Sequence, residues 1–122
     1  MNEHSGNLPP SGRWVGYYLY SAGGVRHRQK MRLSFRSGIV GSGNDGVGTF
    51  TIRGRFDPET NEARWQKRYA THEVSCRGFY ENESIWGVWN IGNRASGGFR
   101  IWPCRGQMRR IKIENVVEAI LC

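Results

Sequence analysis

Hydrophobic and polar residues alternate along most of the chain with the period of two that a β-strand requires. The clearest case is residues 30–36, where Met31, Leu33 and Phe35 alternate with basic and small polar side chains. This alternation predicts a strand with one buried face. Seven further stretches have similar patterns, at residues 13–20, 39–43, 47–56, 63–69, 72–80, 84–91 and 98–102. The pattern predicts eight strands and an all-β fold.

Short turn segments separate the predicted strands. Asp45 lies between an asparagine and a glycine and is therefore interpreted first as a turn residue, and Pro58 fixes φ in the turn at residues 57–61. Strands joined by such short turns form an antiparallel meander. Because closure removes the unpaired edges of a long meander, we expect an up-and-down eight-stranded barrel.

The two ends of the chain lack this alternation. Residues 1–11 are predicted to be a flexible arm and residues 12–103 the barrel domain. Residues 104–122 form a basic extension, in which the spacing of Val116, Val117, Ile120 and Leu121 favours a short amphipathic helix. An extended tail that docks on the barrel is the alternative for this segment.

Composition restricts the functional classes. The chain has 122 residues with 18 Lys and Arg against 10 Asp and Glu, a net charge of +8, which is compatible with an acidic partner. The arginines are spread over several strands, which makes nucleic acid a less expected partner. Three cysteines, an odd number without metal-ligand spacing, predict no disulfide framework and no metal site. We expect a reduced, cytoplasmic protein without a cofactor, and no apolar run is long enough to span a membrane.

Three pieces of the sequence together resemble the avidin and streptavidin family of eight-stranded barrels. The first is Gly12-Arg13-Trp14 near the start of the first strand. The second is Gly54-Arg55-Phe56-Asp57, followed after a turn by Trp65 and Tyr69 and then by Gly78-Phe79-Tyr80. The third is the strand end at residues 85–89, closed by Trp89. The resemblance covers residues 12–102 and implies an avidin-like barrel of calycin type.

The resemblance also implies a ligand site at the open end of the barrel. Trp65 and Trp89 occupy the positions of two ligand-stacking tryptophans, while Gly16, Tyr20 and Gly43 replace polar groups that hold biotin in that family. The resemblance therefore implies the fold and a pocket, but a ligand other than biotin. The predicted ligand-binding residues are Trp65, Trp89, Tyr69, His72, Tyr18 and Tyr20.

The leading functional hypothesis is a non-enzymatic protein that binds a small ligand or a short peptide at the open end. One alternative is a protein- or RNA-interaction module that uses the arginine-rich outer surface. Another is a small calycin-like isomerase or cyclase with His72 and Tyr69 at the barrel mouth. Phe79, Trp86 and Trp102 have outward parity, which predicts a homo-oligomer that covers them.

Overall fold

A computed structural model describes residues 8–20 and 24–104 of the chain. They form eight β-strands: β1 (Gly12–Tyr18), β2 (His27–Ser34), β3 (Ile39–Asp45), β4 (Thr49–Asp57), β5 (Glu62–Tyr69), β6 (Glu73–Glu81), β7 (Ser84–Ile91) and β8 (Ala95–Pro103). The predicted helix or tail after residue 104 lies outside the described residues, as does most of the predicted N-terminal arm. No helix among the described residues is long and apolar enough to cross a membrane.

Each strand pairs antiparallel with the next, and β8 pairs with β1 to close the barrel. The predicted all-β, up-and-down, eight-stranded barrel is therefore confirmed. Several strands are longer than the alternation indicated. β2 begins at His27 and β3 continues to Asp45, which brings Gln29 and Asp45 into the pleat as interior positions.

One end of the barrel is filled by large side chains. Trp14, Leu33, Ile39, Ile85 and Ile101 are almost completely buried there. The Trp14 indole N–H donates to the carbonyl of Pro10, 2.9 Å away, and the Ser11 hydroxyl accepts a hydrogen bond from the backbone N–H of Phe35. Residues 10 and 11 are thus attached to the barrel although they belong to the predicted arm. A ligand could therefore enter the barrel interior from the opposite end, where the cavity lies.

Inward-facing glycines allow the strands to approach closely. A Cβ atom built on Gly16 would lie 2.0 Å from the carbonyl oxygen of Arg100 in β8, and one built on Gly54 would lie 1.9 Å from that of Arg64 in β5. No side chain fits at such distances without movement of the backbone. Some of the glycines in the sequence therefore allow neighbouring strands to approach closely enough to close a narrow barrel.

Candidate functional site

A cavity occupies the open end of the barrel, where β1, β3, β5 and β7 end and the loops after them begin. Its volume is about 50 Å³, enough for a few water molecules. The structure brings all six predicted site residues together around it. Lining side chains are Tyr18, Tyr20, Gln29, Val47, Trp65, Lys67, Tyr69, His72, Val74, Cys76, Trp89, Ile91 and Phe99.

The walls of the cavity are aromatic and fixed in place. Trp65 packs against Phe99 with ring centroids 5.4 Å apart. The Trp89 indole N–H donates to the carbonyl oxygen of Leu19 at 2.9 Å, and the Tyr18 ring meets Trp89 edge-on at 6.3 Å. Both tryptophans are about 5% exposed, so they belong to the core and to the cavity wall at once. A flat ligand would meet preformed aromatic surfaces here.

The rim is formed by less buried rings. Tyr20 is 52% exposed and packs edge-on against Trp89 at 5.5 Å and against His27 at 5.1 Å. On the other side, His72 stacks on Tyr69 with ring centroids 4.8 Å apart, and its Nδ1 lies 2.8 Å from the Thr71 hydroxyl. Tyr20 is therefore the most exposed ring in the cavity lining.

A buried ion pair forms the polar part of the cavity. The Lys67 ammonium donates to Asp45 Oδ2 at 2.9 Å and to Gln29 Oε1 at 3.0 Å, and the Tyr69 hydroxyl donates to the same Asp45 oxygen. The Lys67 side chain is 7% exposed and the Asp45 side chain 0%. Charges removed from water in this way persist only when they are paired and hydrogen-bonded. Among the described residues, every buried side-chain nitrogen and oxygen has a partner.

The β3–β4 turn holds the Asp45 carboxylate in position. Asp45 Oδ1 accepts hydrogen bonds from the backbone N–H groups of Val47 and Gly48, at 2.9 and 3.3 Å. The other carboxylate oxygen faces Lys67 and Tyr69. The predicted turn function is therefore present, and the same side chain also serves the interior site.

Three aromatic rings surround the Lys67 ammonium. Its nitrogen lies 4.4 Å from the ring centroid of Phe50, 4.9 Å from that of Tyr18 and 5.2 Å from that of Tyr69. A cation within about 6 Å of a ring face is attracted by the ring quadrupole. The three rings thus add cation–π contacts to the hydrogen bonds of the buried ammonium.

The pKa values of the cluster follow from its burial and its hydrogen bonds. Burial alone acts to raise the pKa of Asp45, but the hydrogen bonds from Tyr69 and Lys67 outweigh it and lower that pKa. Burial and the adjacent carboxylate raise the pKa of Tyr69. Burial likewise raises the pKa of Tyr18 to about 12 and that of the Cys76 thiol to about 12. The neutral phenols and thiol are therefore the stable forms near neutral pH.

This arrangement is suited to hydrogen bonding and aromatic contact. The Lys67 ammonium is held by a carboxylate and an amide. The raised pKa keeps the Cys76 thiol protonated, so it is not an activated nucleophile. Among the described residues, no three His, Cys, Asp or Glu side chains are grouped as metal ligands.

Sequence reasoning did not include three residues of the polar cluster among the site residues. Lys67 lies between Trp65 and Tyr69 with the same parity, which was a visible signal of an inward lysine. Asp45 was interpreted as a turn residue, and Gln29 lies before the point where the strand was predicted to start. Only the register of β2, β3 and β5 shows that the three side chains meet.

Comparison with protein-family models, with curated proteins and with solved structures finds no match to this chain.

Proposed function

We propose that the protein binds a small molecule, or the end of a peptide, at the open end of the barrel without chemical conversion. The observation that carries the proposal is the cavity itself, which combines closely packed aromatic walls with a buried, hydrogen-bonded polar cluster. Ligand sites characteristically join an apolar lining to a few convergent polar groups.

The size of the cavity limits what can enter. About 50 Å³ is far below the roughly 300–1,000 Å³ of typical drug-sized pockets. A ligand therefore inserts one small group and leaves the rest at the rim, or it displaces Tyr20. Because Tyr20 is half exposed and held by ring contacts, its displacement breaks no buried ion pair.

The charges of the cavity favour an uncharged inserted group. Lys67 and Asp45 neutralise one another, so a charged ligand would enter a site without a free counter-charge. The ammonium has three N–H donors, and Asp45 and Gln29 take two of them. A flat group with a carbonyl oxygen would satisfy the third donor and stack against Trp65 or Trp89.

An avidin-like relationship is part of the same proposal. The barrel topology and the positions of Trp65 and Trp89 support it, whereas the polar groups of this cavity come from β2, β3 and β5 in an arrangement of their own. Gly16 and Gly43 occupy positions of biotin-binding side chains in that family, and a Cβ at either would lie 2.0–2.2 Å from a neighbouring carbonyl oxygen. A polar side chain could therefore not be placed at either position unless a strand moved.

We therefore expect no biotin binding tighter than about 1 μM, since each missing hydrogen bond in a dry pocket costs on the order of 1–3 kcal/mol. Isothermal titration calorimetry measures this directly. Nanomolar binding would show that the transfer of positions from the avidin family is misaligned.

The general test is native mass spectrometry of the purified protein, to identify a copurifying small molecule, followed by affinity measurements on variants. Tyr20→Ala removes a rim contact and should change affinity at least severalfold. Tyr17→Ala, the matched control, alters an outward tyrosine of β1 and should leave affinity unchanged. Equal effects of both substitutions, or a ligand that binds Trp65→Ala with full affinity, would contradict binding at the open end.

A further inference from the structure

Positive charge is segregated on one side of the outer surface. The three adjacent strands β8, β1 and β2 contain no aspartate or glutamate. Their outward positions include Arg13, Arg28, Lys30, Arg32 and Arg100. On the opposite side, by contrast, Glu62 bonds both Arg64 and Arg77, and Glu73 bonds Arg68. The sequence shows arginines on many strands, and the pairing of the strands places the basic side chains of β8, β1 and β2 side by side on one face.

A groove with aromatic walls lies on this face. Its volume is about 400 Å³, and its lining includes Tyr17, Arg26, Arg100 and Trp102, with the β6–β7 turn at its edge. We call it the basic groove. The Arg26 guanidinium lies 4.4 Å from the centroid of the Tyr17 ring, and the Tyr17 and Trp102 rings meet edge-on at 6.1 Å. Glu83 of the turn is the one carboxylate in the described lining.

Arginines and aromatic rings alternate across the strands at this place. Tyr17 in β1 lies opposite Arg100 in β8 on one side and Arg28 in β2 on the other. Adjacent strands are about 4.8 Å apart, so two cations flank one ring within about 10 Å.

We propose that the basic groove binds single-stranded nucleic acid, a function beyond ligand binding at the open end and on a different surface. Arginine contacts phosphates and also stacks on bases, and aromatic rings at a protein surface offer stacking surfaces that are independent of base sequence. Tyr17 and Trp102 are half-buried rings on this surface. A duplex buries the faces of its bases, so it cannot use the Tyr17 and Trp102 rings. Charge complementarity and the interleaved rings together select an unpaired polynucleotide.

The test is fluorescence anisotropy with a labelled 12-nucleotide oligouridylate, at several salt concentrations, using the full chain. Arg26→Glu/Arg100→Glu should weaken binding at least tenfold and reduce the salt dependence. The matched control is Arg53→Glu/Arg55→Glu, which changes the net charge equally on β4 and should weaken binding less than threefold. Trp102→Leu, which keeps all charges, should weaken binding about tenfold by removing a stacking surface.

Four outcomes would overturn the proposal: no binding by the unaltered protein at about 50 mM salt, equal losses in the two double variants, tighter binding of a duplex of the same length, or equal binding of polyglutamate. The last outcome would indicate an acidic protein partner. Circular dichroism of each variant verifies that the barrel is folded. Tyr20→Ala should retain nucleic-acid binding, so failure of this proposal is distinguishable from failure of the open-end site.

Discussion

At the scale of single residues, Lys67 is the most informative side chain in the barrel. It lies inside a strand between two aromatic residues and is almost completely removed from solvent. An unpaired ammonium at this position would be strongly unfavourable, and Asp45 and Gln29 compensate it. Each charge of the pair therefore depends on the other for its stability, and the pair is also the polar part of the candidate site.

Removing one member of the Lys67–Asp45 pair should lower the free energy of unfolding more than replacing both members. Lys67→Met and Asp45→Asn should each lower the free energy of unfolding by about 3–5 kcal/mol, because one buried charge is left without its partner. The double variant should be more stable than the sum of the two losses predicts, since neither charge remains. Urea denaturation of the four proteins gives the coupling energy, and strict additivity would show that the two side chains do not interact.

The lowered pKa of Asp45 gives this pair a defined pH dependence. The folded-state pKa lies below the ordinary value of 3.8, so the stabilisation is present above pH 3.8 and is lost as pH falls through the folded-state pKa. The stability difference between the unaltered protein and Asp45→Asn should therefore be constant near neutral pH and decrease below about pH 4. Chemical denaturation at a series of pH values measures this stability difference. A difference that increases as the pH falls would contradict the prediction.

At the scale of secondary-structure elements, the seams between strands depend on glycines that face inward. Gly16 lies in the seam between β1 and β8, the pairing that closes the barrel. The ladder there places Gly16 opposite Ile101, with no space for a methyl group. Closure and the absence of a side chain at this position are therefore linked.

Gly16→Ala should lower the free energy of unfolding by about 1–3 kcal/mol, because an added Cβ would collide with the carbonyl oxygen of Arg100. The matched control is Gly46→Ala in the β3–β4 turn, where nothing lies within 4 Å of the new atom. That change should be neutral or slightly stabilising. Thermal unfolding of both variants tests the prediction, and equal transition temperatures would contradict it.

At the scale of the whole molecule, the outer surface is divided into regions of different character. Beside the basic groove lies an apolar patch of Phe79, Trp86 and Val88, which are 37%, 47% and 57% exposed. Phe79 and Trp86 are directly opposite one another across β6 and β7. Contiguous exposed apolar groups of this kind usually contact a partner, and a twofold axis lets one patch cover its own copy.

We expect a homodimer that buries this patch. Trp86→Glu should shift the protein to monomers by placing a charge in the interface. Val40→Glu introduces the same charge at an exposed valine of β3 and should leave the assembly unchanged. Sedimentation velocity at tens of micromolar protein distinguishes the species, and a monomeric unaltered protein would contradict the prediction.

The sequence by itself determined the number and the order of the barrel strands, although not the residues at which each strand begins and ends. Alternation of the kind seen at Met31, Leu33 and Phe35 depends only on the local sequence. Short turns make consecutive strands pair with one another, and closure of such a long meander removes its unpaired edges. This alternation needs only neighbours along the chain. That Trp65, Tyr69 and Trp89 face one interior was implied by the resemblance to the avidin family together with their parity in the strands.

Only the tertiary structure decided which polar residues meet. Lys67 is 22 residues from Asp45 and 38 from Gln29 along the chain, and their contact depends on the register of three strands. A one-residue shift in register would turn each side chain to the other face. The segregation of charge outside the barrel has the same origin, because closure places β8 beside β1 and so joins the last and first strands of the barrel into one basic face.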